Sequence, residues 1–194
     1  MSIRIAPVGL IASLLVAFIS ARPSAQSPHV APANAPRSGA LAPAAEPGPR
    51  LVVSGVVVTG SGAPVPNASI YAYQTDAEGY YGVKPVSDNQ NPRLKLFLRS
   101  GAQGDWSFET IQPGSYPASS VPAHIHFEVS APGYQTKIFE IVFEGDKFIT
   151  AAMRSNPAFS VRPIDRGRTN GPGRVTERIV LSPIGRDLPR QVLR

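Results

Sequence analysis

Downstream of residue 50 the apolar positions recur in short alternating runs and not in helical stripes. In residues 105–110, Trp106, Phe108 and Thr110 fall on one side and Ser107 and Glu109 on the other, the period of two expected of a half-buried strand. The same reading predicts strands over residues 51–58, 68–74, 94–98, 123–129, 137–143 and 175–181. Turn formers such as Gly60-Ser61-Gly62, Pro113-Gly114 and Ala131-Pro132-Gly133 separate them,. No amphipathic helix is evident. This spacing predicts an all-β fold, an antiparallel β-sandwich of about seven to eight strands with long loops and no major helices. Residues 155–172, rich in proline and glycine, read as a long loop before a closing strand.

The flanks read differently. Residues 5–21 are uncharged and largely apolar after Arg4, and small and polar residues follow, so residues 1–25 are expected to be a secretory signal peptide. An uncleaved membrane anchor is the lesser alternative, because Pro7, Gly9 and the short run suit a stable span poorly. The expected address is therefore periplasmic or secreted, with no stable membrane span after cleavage. Residues 26–50 are mostly Ala, Pro, Gly and Ser and are expected to form a disordered linker, His29 included. Residues 51–182 would be the folded domain and residues 183–194 a basic tail.

Charge and cysteine content narrow the picture. The net charge is +6, and residues 153–194 carry nine arginines against three acidic residues. With few aromatics there for base stacking and an export signal upstream, this basic end reads as a solvated tail and not a nucleic-acid arm. The chain has no cysteine, so an exported fold must be held by its core or a metal, without disulfides. Oligomeric state is left open by the sequence.

Chemistry concentrates in Pro122-Ala123-His124-Ile125-His126-Phe127. On a strand, His124 and His126 share a face and Ile125 opposes them, which is a metal-ligand arrangement. Two imidazoles do not saturate a metal. Glu128, on the same face, or Glu140, on the next strand, would complete a site suited to zinc or ferrous iron. Tyrosine is the other candidate: Tyr116 lies in the Pro113-Gly114-Ser115-Tyr116-Pro117 turn, and Tyr80 and Tyr81 follow Gly79. A metal can pull a phenol below its usual pKa of about 10, and phenolate is a hard oxygen donor that favours the ferric ion.

The Pro-Ala-His-Ile-His-Phe run, the Pro-Gly-Ser-Tyr-Pro turn, the Phe143-Glu144-Gly145-Asp146 run and the Gly62-Ala63-Pro64-Val65-Pro66-Asn67 turn together resemble the intradiol ring-cleavage dioxygenases, protocatechuate 3,4-dioxygenase subunits in particular. The resemblance covers residues 53–146, with residues 174–181 similar to the family's closing strand. It implies a non-haem Fe(3+) site with Tyr81, Tyr116, His124 and His126 as metal ligands. It also implies O2-dependent opening of a catechol-type aromatic ring to a muconate-type diacid, with Tyr116 as a catalytic residue that leaves the metal and takes a substrate proton. No nicotinamide or flavin is implied.

Two pocket positions depart from the family pattern. Val121 stands where the family usually has arginine, and Glu140 where it usually has glutamine, so cationic support for a negative substrate is reduced. A non-catalytic binding module of the same fold, with a degenerate site, is therefore the second reading. A different metal enzyme using the histidines with Glu128 or Glu140 is the third.

Overall fold

The computed structural model describes residues 29–167 and 171–185. The expected signal peptide and most of the basic tail lie outside the described residues. The described residues form nine strands: β1 (Ser38–Ala40), β2 (Arg50–Thr59), β3 (Ser69–Gln74), β4 (Leu94–Arg99), β5 (Asp105–Ile111), β6 (His124–Ser130), β7 (Lys137–Phe143), β8 (Phe159–Arg162) and β9 (Gly173–Leu181). Among the described residues a single short helix, α1 (Ala151–Ser155), is capped by Thr150, whose hydroxyl accepts from the Met153 N–H,. One sheet runs β1-β5-β2-β9 and the other β4-β3-β6-β7-β8.

Alternation decides what lies between the sheets. In β9 every second residue from Gly173 to Leu181 is buried and its neighbours are exposed. Leu51, Val53 and Val57 of β2, Phe108 of β5 and Ile179 of β9 meet Ile70, Leu98, Ile125, Phe127, Phe139 and Ile141 of the facing sheet in one core,. Gly55 of β2 is required by close approach: a Cβ there would stand 2.0 Å from the Glu177 carbonyl and 2.8 Å from the Trp106 ring. At the open side of the sandwich, the buried Glu177 carboxylate accepts from Ser160 Oγ (2.5 Å) and from Arg162 Nε (2.8 Å) and a terminal guanidinium nitrogen (3.0 Å). A charge inside the sandwich is thus paired across its edge.

The mostly-β sandwich matches expectation, but the sheets are mixed and not purely antiparallel. β1–β5, β2–β9 and β7–β8 pair in parallel. The first two join strands distant in sequence and the third joins consecutive strands through a crossover carrying α1, so no hairpin dictates direction,. Strands β1 and β8 were not expected: β1 is Ser-Gly-Ala, and β8 is an edge strand whose four residues are all half-buried, so neither alternates. β8 lies inside the segment expected to be a long loop.

The lead-in is also corrected. Residues expected to form a disordered linker pack along the sandwich instead. The Ala31 N–H donates to Ser69 Oγ at 2.7 Å, Arg99 Nε donates to the Pro32 carbonyl at 2.9 Å, and Leu41 and Ala42 enter the core. Such a composition cannot build a core of its own, yet it can take hydrogen bonds and apolar surface from one that already exists. Leu41→Ala should accordingly cost about 2–4 kcal/mol of unfolding free energy, as for a buried leucine. A denaturation midpoint equal to that of the parent protein would show that the lead-in contributes nothing.

Candidate metal centre

The pleat of β6 creates this site. Ile125, Phe127 and Val129 are fully buried in the core, so His124, His126 and Glu128 must project from the outer face of their sheet. Beside them on that face stand Tyr71 and Tyr73 of β3, opposite Glu128 and His126 in register. On the other side Glu140 of β7 lies opposite His126. Two loops then fold over the histidine end, one bringing Tyr81 and the other Tyr116.

These loops are locked to each other. The Gly114 N–H donates to the Asp76 carbonyl at 2.8 Å, and Thr75 Oγ1 donates to the Gly114 carbonyl at 2.8 Å. Gly79 has φ +90, and a Cβ there would fall 2.0 Å from the Ser115 carbonyl oxygen. Only glycine meets both demands without strain. Asp76 closes the turn before Tyr81 by accepting the Tyr80 N–H at 3.0 Å, and the Arg93 N–H donates to the Tyr81 carbonyl at 2.7 Å. Asp146, from the Phe-Glu-Gly-Asp run, accepts the Ala123 N–H at 2.9 Å and so anchors the start of β6.

The result is a tight convergence. Tyr81 Oη lies 2.5 Å from Tyr116 Oη and 2.7 Å from His126 Nε2; Tyr116 Oη is 3.0 Å from His124 Nε2; and the two Nε2 atoms are 2.9 Å apart. Tautomers follow from the far nitrogens. His124 Nδ1 donates to the Pro122 carbonyl at 2.7 Å, which leaves its Nε2 with a lone pair. His126 Nδ1 faces the Glu140 carboxylate at 3.3 Å, which favours the proton on that nitrogen. Burial, reinforced by His124, pulls His126 down to about 3, so the Glu140 contact joins a neutral imidazole to an acid and is not an ion pair at neutral pH.

Two lone pairs pointing at each other across 2.9 Å repel unless a cation lies near both. Burial pushes the Tyr81 phenol far above its ordinary range, assisted by its hydrogen bond with Tyr116. Burial also raises Tyr116, although the bond from Tyr81 opposes the shift. Burial thus keeps the phenols protonated in the metal-free chain, and a polyvalent cation would relieve the lone-pair repulsion and convert the phenols to anionic ligands,. The donor set therefore fits a metal, and two hard oxygens with two imidazoles fit a ferric ion.

The remaining candidates separate. His124, His126 and Glu140 offer ligand atoms within 4.8 Å of one another, but Glu140 approaches the outward nitrogen of His126 and not the point where the Nε2 atoms meet. Glu128 is engaged elsewhere: its carboxylate accepts the His29 N–H at 2.8 Å and lies 2.9 Å from His29 Nδ1. Val121 is half-buried, and its N–H donates to Ser119 Oγ. Tyr80 joins Tyr81, Tyr116, Ser87, Asn89 and Pro117 in lining a cavity of ≈ 390 Å³ that opens over the phenols. Tyr73, read from sequence only as part of a strand, stacks on His126 because the β3–β6 register sets the two side by side.

A family model described as "Dioxygenase" matches residues 28–163. A 6-chlorohydroxyquinol 1,2-dioxygenase from Cupriavidus pinatubonensis is 30% identical over 156 residues, covering 70% of this chain and 55% of that protein. The protocatechuate 3,4-dioxygenase beta chain of Burkholderia cepacia is 33% identical over 113 residues, 53% of this chain and 48% of that one. The chain thus spans about half the length of these relatives. Among solved structures, the dioxygenase domain of a dioxygenase carbohydrate-binding protein fusion from Streptomyces sp. SirexAA-E is similar at TM-score 0.58 and 25% identity, covering 82% of this chain and 96% of that domain.

The loop lock makes one position decisive. Gly79→Ala should lower stability by about 1–3 kcal/mol, from overpacking and an unfavourable positive φ, and should loosen both tyrosines. Urea denaturation checks the first effect. A pH titration of tyrosine absorbance checks the second, since the loosened phenols should ionise at lower pH than in the parent protein.

Proposed function

The chain belongs to the intradiol ring-cleavage dioxygenase family, and we propose that it holds Fe(3+) on Tyr81, Tyr116, His124 and His126 and cleaves a catechol-type ring with O2 to a muconate-type diacid. The observation that carries this reading is the meeting of two phenol oxygens with two imidazole lone pairs within 3.0 Å. A ferric ion bound there supplies Lewis acidity toward the catechol hydroxyls. The protein's own part is positioning and proton handling. His124 and His126 are oriented by the Pro122 carbonyl and by Glu140, while Tyr81 is buried in the cavity wall. Tyr116 is carried on the turn that lines the opening, so its oxygen is the base placed to take a proton from an entering catechol.

The cavity lining also bears on substrate. Tyr80, Tyr81, Ser87, Asn89, Tyr116 and Pro117 carry no formal charge as a set. The nearby Lys84 ammonium is held by Glu78 at 2.8 Å, and Glu140 adds an acid beside His126. A carboxylate on the ring would meet no free cation among the described lining residues,. Uncharged catechols, including hydroxylated ones that can bond Ser87 and Asn89, are the proposed substrate class.

Export belongs to the same proposal and is supported by the apolar, uncharged run at residues 5–21,. N-terminal sequencing of protein recovered from the periplasm or medium should find a start near residue 26,. An intact Met1 in the membrane fraction would instead identify an uncleaved anchor.

The decisive experiment combines elemental analysis, a visible spectrum and oxygen uptake. About one iron per chain, a phenolate-to-iron charge-transfer colour partly lost in Tyr116→Phe, and O2 uptake faster with catechol than with 3,4-dihydroxybenzoate are expected. Coloured iron without turnover on any catechol would favour the non-catalytic binding module. Colourless zinc would overturn the ferric reading.

A further inference from the structure

His126 occupies the middle of a cross-strand row, Tyr73 of β3, His126 of β6 and Glu140 of β7. The Tyr73 ring lies almost parallel to the imidazole, with centroids 4.3 Å apart and planes inclined by 12°. It also leans on Tyr81, at 5.9 Å and 48°. Behind it Tyr71 stacks at 5.3 Å, itself backed by Phe97 at 4.6 Å and by the lead-in residue His29 at 4.5 Å. Tyr73 is thus wedged between a stack of rings and two of the four converging side chains.

We propose that Tyr73 is a positioning residue that sets the plane of the His126 imidazole, so that its Nε2 lone pair meets Tyr81, Tyr116 and His124. This inference rests on the ferric reading above. Glu140 favours the tautomer of His126 but approaches it at the ring edge, so it leaves rotation about the Cβ–Cγ bond weakly restrained. A ring laid on the imidazole face opposes that rotation directly. His124 needs no such partner, because its Nδ1–H bond to the Pro122 carbonyl orients it. The contact is made by the ring of Tyr73 and not by its hydroxyl, so phenylalanine should preserve it and alanine should not.

The test compares Tyr73→Phe and Tyr73→Ala in the full chain, first without metal. In the parent protein, NMR should show the His126 ring protons shifted upfield by the stacked phenol and a fixed Nδ1–H tautomer. Tyr73→Phe should keep both, and Tyr73→Ala should lose both while far-UV circular dichroism shows the sheet intact. With iron, Tyr73→Ala should lose the metal to a chelator roughly 10–100-fold faster and shift the charge-transfer band, whereas Tyr73→Phe should match the parent. An alanine variant with parental ring shifts, band and iron retention overturns the proposal. A parent protein that shows the ring shifts but binds no coloured iron overturns the ferric reading while leaving the stacking role of Tyr73 in place.

Discussion

The pleat of β6 is the constraint on which the rest depends. One strand supplies Ile125, Phe127 and Val129 to the sandwich core and His124 and His126 to the opposite face,. The burial that stabilises the fold therefore also aims the histidines. A slip of one residue in register would exchange the two sets, placing imidazoles in the core and exposing three large apolar side chains, at a cost of several kcal/mol by ordinary burial arithmetic. Core packing is what makes the imidazole geometry dependable.

Around that strand, each donor is held by a different local device. Backbone carbonyls, a facing carboxylate, a glycine contact between loops and a stacked ring each fix one degree of freedom. Their common effect is to hold four polar atoms closer together than they would choose without a cation. That arrangement costs free energy in the metal-free chain, which a bound ion would return. Burial acts in the same direction, because it keeps the His126 imidazole unprotonated and the phenols neutral until a cation arrives,.

The site also depends on parts of the chain remote from it. Arg93, whose N–H holds the Tyr81 carbonyl, is gripped by both carboxylate oxygens of Glu46 at 2.6 and 2.7 Å. Glu46 belongs to the lead-in, which runs from the outer aromatic face at His29, past the β4 edge, into the core at Leu41 and back to the loop after Tyr81. The segment that composition assigned to a linker thus ties the outer surface of one sheet to the loop that carries a candidate ligand. The hydrogen bonds and apolar contacts that dock it are with partners distant in sequence, such as Ser69, Arg93 and Arg99, which is why composition alone misread it.

Local pattern was sufficient wherever one strand buries one face. All seven strands expected from alternation appear within two residues of their expected limits, and the His-X-His pair lies on a shared face because a strand admits no other arrangement,. The ordered motifs likewise singled out Tyr81 and Tyr116 before any geometry was known. Tertiary structure alone decided the parallel pairings, the edge strands β1 and β8, the docking of the lead-in and the removal of Glu128 to His29. It also decided that Glu140 backs His126 and that Tyr73 lies on its ring. These features arise where strands meet across long sequence separations, and a one-dimensional periodicity records which way a side chain points but not what it will meet there.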